Sequence, residues 1–187
     1  MNVLDSPEGR ALVVSSVRTN VAMEQLDQLK DDPDINQICL LRLEMNDQLI
    51  SCLCRIVKID GRSWRSLKLV DCPVGGLDDT HEKELLDALS QFDQLFLQTT
   101  HNTTDTSQCI FPVRGASQVS TVRLCINNFD ESLARTLKQC LSTTNSILTD
   151  LCLSGSRRCG PQVAMLAEAF RANQSLEKLD LGDCQLN

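Results

Sequence analysis

Leu176-Glu-Lys-Leu-Asp-Leu-Gly-Asp-Cys-Gln-Leu186 is a full copy of a pattern that recurs along the whole 187-residue chain. Its centre is Leu179-Asp-Leu181, a leucine with a second aliphatic residue two positions on. The same triplet starts at Leu12, Leu41, Leu67, Leu95, Leu124 and Leu151, and the successive spacings up to Leu179 are 29, 26, 28, 29, 27 and 28. Self-similarity at such a period marks a repeat architecture, in which each unit buries its apolar face only against its neighbours.

The second triplet position holds Val14, Leu43, Leu69, Leu97, Ile126, Leu153 and Leu181, all aliphatic. Three positions before each triplet lie Gly9, Ile38, Trp64, Phe92, Thr121, Leu148 and Leu176. Apolar and polar side chains alternate through the triplet, which is the period of a short strand with one buried face. Each repeat therefore begins with a strand, as in Trp64-Arg-Ser-Leu-Lys-Leu-Val-Asp-Cys72.

These residues resemble the leucine-rich repeat. The roughly 28-residue period, with Cys or Asn closing the strand, looks like its ribonuclease-inhibitor-like subclass. Asn46, Cys72 and Cys184 take the closing position, and Val74 and Leu186 take the aliphatic position two further on. Val17, Thr100, Phe129 and Ser156 depart from the closing residue, so the ladder of side chains tying successive turns together is expected to be incomplete. The resemblance implies an α/β fold, a horseshoe-shaped solenoid of about seven repeats with short parallel strands on the concave face and helices on the convex face. Residues 1–187 form one such domain.

The intervals between strands carry helix-period stripes: Val21, Met23, Leu26 and Leu29; Leu49, Leu53 and Ile56; Leu85, Leu86 and Leu89; Leu133, Leu137, Cys140 and Leu141; Val163, Leu166, Ala167 and Phe170. Asp79-Thr-His-Glu82 has capping-box spacing, Asp130 is placed as an N-cap, and Gly160-Pro161 opens the last helix. The fourth interval differs. Thr99 to Ser107 is polar and β-branched, with Pro112 and Gly115 following, so residues 99–118 are expected to form an irregular segment without a helix. Strands stack about 4.8 Å apart while packed helices need roughly 10 Å, so such an array curves. A thin layer between strands and helices suits Leu, Val and Ala, in keeping with 3% aromatic residues and no Tyr.

Hydrophobic residues make up 42% of the chain, enough for one sizeable core. Its apolar runs are too short to span a membrane, and Asp5, Pro7 and Glu8 interrupt any signal-peptide centre, so a cytoplasmic location is expected. A net charge of −7 argues against nucleic-acid binding, which needs clustered Lys and Arg. Acidic stretches such as Asp31 to Asp34 and Asp78 to Glu84 read as solvated helix starts and loops. All ten cysteines are expected to be reduced: Cys72 and Cys184 close strands, Cys140 lies on an apolar stripe, and Cys125 and Cys152 sit inside triplets. No Cys-x-x-Cys occurs, and only His81 and His101 could complete a metal site, so no metal or other cofactor is expected. The chain also lacks a nucleophile elbow, a P-loop and a His-Glu-x-x-His motif, and is read as non-enzymatic.

Function is then expected on the concave face, through binding of a protein partner. Outward residues there include Arg42 and Glu44, Lys68, Phe96, Arg123 and Asn127, Asp150, and Lys178 and Asp180. Basic residues on earlier strands, acidic ones on later strands and an exposed Phe96 between them have the composition of an interface centre. Leu40 also falls among the outward positions. Families carrying this repeat include ribonuclease inhibitors, sensor regions of nucleotide-binding immune receptors, actin-end-capping proteins and the activating proteins of the Ran GTPase. A GTPase regulator and a structural spacer are the alternatives. Because Asn187 follows the last strand without a covering helix, the chain is expected to be a piece of a longer array, with fraying or self-association through that strand.

Overall fold

Aliphatic alternation becomes strand wherever its buried side meets a helix. In the computed structural model, eight strands form one open sheet in chain order. The structure describes residues 2–7, 9–15, 18–58, 62–74, 77–99, 107–154, 160–182 and 184. The strands are β1 (Asn2–Ser6), β2 (Gly9–Ser15), β3 (Ile35–Leu41), β4 (Trp64–Val70), β5 (Phe92–Gln98), β6 (Thr121–Cys125), β7 (Asp150–Cys152) and β8 (Lys178–Asp180). From β2 onward every neighbouring pair is parallel, and only β1 with β2 is antiparallel.

The helices are α1 (Thr19–Asp27), α2 (Asp47–Val57), α3 (Asp79–Leu89), α4 (Ser107–Arg114), α5 (Glu131–Leu141) and α6 (Gly160–Ala172). They pack one against the next in chain order, on the side of the sheet toward which Leu67, Leu69, Leu95 and Leu97 point. A single apolar core results, running from Leu12 in β2 to Cys184 beyond β8. Among the described residues no helix is long and apolar enough to cross a membrane.

Helix starts follow local chemistry. Asn46 accepts from Leu49 N at 3.0 Å, Asp78 from Thr80 N and His81 N at 3.0 and 2.9 Å, and Asp130 from Leu133 N at 3.0 Å. Asp130 is the cap that the sequence indicates, whereas the cap of α3 is Asp78, one residue before the expected capping box. Asn46 caps a helix and does not close a strand. In α6 the buried residues are Leu166 and Ala169, while Ala167 is exposed, which shifts the expected stripe.

The strand register corrects two repeats. Ile38 pairs with Leu67 and Leu40 with Leu69, and Val122 pairs with Leu95 and Leu124 with Leu97. The triplets of the second and fifth repeats therefore start at Ile38 and Val122, not at Leu41 and Leu124. In Ile38-Cys-Leu-Leu-Arg-Leu43 aliphatic residues sit so that both readings alternate. Burial decides between them, because Ile35 lies three before and Met45 seven after the N-terminal choice, both fully buried. Val119 and Phe129 play the same parts around Val122. Leu41 ends β3, and Arg42 then turns with φ of 54°, as Asp71 does with φ of 50° after β4. These are left-handed conformations that cost a non-glycine residue energy. They let Arg42 N reach Val70 O at 2.8 Å and Asp71 N reach Gln98 O at 2.9 Å.

Two elements were not expected. β1 folds back on β2 as a hairpin around Pro7, with Leu4 opposite Ala11. Gly9 has φ of +130° there, and a Cβ on it would meet Asn36 Oδ1 at 2.6 Å, so two constraints call for glycine. The expected irregular segment 99–118 holds α4 and a short 3-10 turn, Gly115–Gln118. Residues 100–106 lie outside the described residues. Pro112 costs α4 a backbone donor. Burial of Val113, Ala116 and Val119 and the Cys140 thiol, which donates to Val113 O at 3.2 Å, holds the segment against α5. Its apolar stripe begins where the polar run ends.

Two of the closing cysteines bond back toward the preceding strand. Cys72 Sγ donates to Leu40 O in β3 and Cys184 Sγ to Leu153 O just past the end of β7, both at 3.2 Å. In the corrected register Leu43 and Asn127 stand at this position in their repeats, while Val17, Thr100, Ser156 and the expected aliphatic Leu186 lie outside the described residues. Another tie crosses repeats at Arg62. Its Nη1 faces Leu29 O, Asp32 O and Ile35 O at 3.1 to 3.3 Å, and its guanidinium lies 5.2 Å from the Trp64 ring.

Candidate functional site on the open face of the sheet

Side chains that alternate with the core residues point to the face without helices. Register lines them into rows. The central row is Val13, Cys39, Lys68, Phe96, Arg123, Cys152 and Asp180. On one side of it run Gln37, Ser66, Gln94, Thr121, Asp150 and Lys178. On the other run Leu41, Val70, Gln98 and Cys125.

Of the residues expected on this face, Lys68, Phe96, Arg123 and Asp180 share the central row, and Asp150 and Lys178 share the next. Arg42, Glu44 and Asn127 do not belong to the sheet. Arg42 and Glu44 are exposed in the turn after β3, and Asn127 lies past β6, where its backbone N donates to Thr99 Oγ1 at 3.0 Å. Leu40, expected outward, is fully buried. All four departures follow from the register of the second and fifth repeats.

Arg123 and Phe96 are paired across β5 and β6, with the guanidinium carbon 5.4 Å from the ring centroid. At that distance the cation is attracted to the ring's quadrupole and holds the half-buried ring in place. Toward β8 the charges are mutually answered. Lys178 Nζ lies 3.2 Å from Asp150 Oδ1. Asp180 accepts from Gly182 N at 2.9 Å and from the Cys152 thiol at 3.4 Å. The Gly182 N–H, then the thiol, hold the Asp180 carboxyl below its ordinary value, with Arg123 helping. An open depression of about 440 Å³ lies over these strands, lined by Gln94, Thr121, Arg123, Asp150, Cys152 and Lys178 among others.

Apart from Val70, an outward position in the sequence as well, the triplets do not reveal the apolar sector of the face. Val13, Cys39, Leu41 and Val70 are half-buried, and Leu4 of β1 is 61% exposed. The burial of Ile35 three residues before Ile38 is the signal that places Leu41 outward.

Among the described residues several thiols are buried and His81 is paired. Burial pushes the Cys54, Cys72 and Cys140 thiols up to about 11, the opposite of what a reactive thiolate requires. Cys39 and Cys152 are raised as well, again by burial. His81 is engaged by Asp78, its Nδ1 2.8 Å from Oδ1, and that bond raises its pKa. His101 lies outside the described residues. Among the described residues no group of three or more His, Cys, Asp or Glu is arranged to hold a metal ion.

No protein-family profile and no curated protein matches the chain.

Proposed function

We propose that the chain is a ribonuclease-inhibitor-like leucine-rich-repeat solenoid that acts as a non-catalytic scaffold, binding a protein partner on its concave face in the cytoplasm. Support for the repeat comes from the register. With starts at Leu12, Ile38, Leu67, Leu95, Val122, Leu151 and Leu179 the spacings are 26, 29, 28, 27, 29 and 28 residues. Support for the binding role rests on one observation. Phe96 stands in the middle row of a face free of helices, between Lys68 and Arg123. An aromatic anchor with an arginine against it is the composition enriched at the centre of interfaces.

Phe96→Ala and Arg123→Glu are expected to weaken partner binding by about tenfold or more each. Neither side chain fills the core, so the thermal melt by circular dichroism should stay nearly unchanged. The test is affinity capture from a cell extract under reducing conditions, then titration of the retained partner against both variants. Unchanged affinity in both would overturn the role of this face.

A further inference from the structure

We infer that the segment this face takes up is a stretch of a partner protein in which an acidic residue adjoins apolar ones. The inference rests on the binding role proposed above and adds the chemistry of the partner.

Charge carries it first. Near β8 each charge has its answer, Asp150 with Lys178 and Asp180 with the Gly182 N–H and the Cys152 thiol. Lys68 and Arg123 are answered less closely: among the described residues neither enters an ion pair, and the charge of Arg123 acts on Asp180 only from beyond ion-pair distance. They flank Phe96 on the strands to either side, with backbones roughly 10 Å apart. Both side chains are long enough to converge on one carboxylate between them. Arg123 already lies over the ring, so an incoming carboxylate belongs at the ring's edge, where the quadrupole is positive. In a chain of net charge −7, this is a local inversion of sign that selects an acidic group.

The second observation is what adjoins that pair. Leu41 and Val70 lie in the neighbouring row, with Cys39 beside Lys68 in the central row. They lie on the β3 and β4 side of the pair, where apolar groups next to the partner's acidic residue can cover them and exclude water from the ion pair. Exclusion of water strengthens such a pair and fixes the register of the segment.

The experiment uses the full chain and three series of short fluorescent peptides. Each peptide has leucines flanking a central glutamate, glutamine or lysine and is titrated by polarisation. Glutamate peptides are expected to bind at least about tenfold tighter than glutamine peptides. The advantage should shrink between physiological and about 0.5 M salt. The double variant Lys68→Glu, Arg123→Glu should reverse the order in favour of lysine peptides. Since a misfolded variant binds nothing, that gain of binding separates charge recognition from loss of structure.

Equal affinity for the three series, or a glutamate preference that survives charge reversal, overturns the inference. So does absence of binding in all three. If peptides bind without charge preference but Phe96→Asp abolishes binding, the face remains the binding site and only the acidic chemistry falls.

Discussion

Leu124→Asp is expected to abolish cooperative folding of the array or split its melt into separate transitions. Leu124 is 1% exposed, on the covered side of β6 and in register with Leu97 of β5. An unpaired carboxylate there costs several kcal/mol, against a total stability of about 5–15 kcal/mol for a domain. β6 lies between β5 and β7 in the sheet, so damage there uncouples the strands on its N-terminal side from those on its C-terminal side. Circular dichroism against temperature reads this directly. A single transition within a few degrees of the unmodified chain would show that Leu124 does not lie in the shared core.

Trp64→Ala is the second large effect, with an expected loss of about 3–5 kcal/mol. Trp64 is 1% exposed, its ring is 5.8 Å from Phe92, and its Nε1 donates to Val57 O at 3.1 Å. That carbonyl belongs to the last residue of α2, where carbonyls have no partner within the helix. Truncation leaves a cavity and an unsatisfied carbonyl together. Trp64→Phe should cost less, because it restores most of the packing and loses only the hydrogen bond, worth about 0.5–1.5 kcal/mol. Urea unfolding of both variants separates the two contributions. Equal losses, or an alanine variant within about 1 kcal/mol of the parent, would contradict this packing.

How far the fold was legible depended on how cleanly each segment told one reading from another. Leu67-Lys-Leu69 and Leu95-Phe-Leu97 have one alternation each, and the structure places them as the sequence indicates. Ile38 to Leu43 has two, because the residues after β3 remain buried at Leu43 and Met45, so counting leucines selects the wrong one. Around β6 the triplet opens on Val122, and a search for leucine passes over it. α4 was hidden by the opposite fault. Its polar approach and Pro112 argue against a helix locally, and the burial of Val113 and Ala116 overrides them through tertiary contact. β1 has too little alternation to announce itself, and only Pro7 with Gly9 hints at a turn.

The site inherited these errors in proportion. Lys68, Phe96 and Asp180 stand in well-read repeats and fall in one row. Arg42, Glu44 and Asn127 stand after the two misread strands and drop out. Counting the triplet from Leu124 instead of Val122 puts Arg123 one row off and conceals its contact with Phe96.

Two adjacent leucines test the division of the sheet into a covered and an open face most directly. Leu40 is fully buried against the helices, and Leu41, the next residue, is half-buried on the other side. The measurement is the thermal melt of Leu40→Lys beside that of Leu41→Lys. Leu40→Lys should unfold the chain at ambient temperature or lower its melting point drastically, whereas Leu41→Lys should melt within a few degrees of the parent. The reverse order, or equal damage from both, would contradict the register of β3 and with it the face on which binding is proposed.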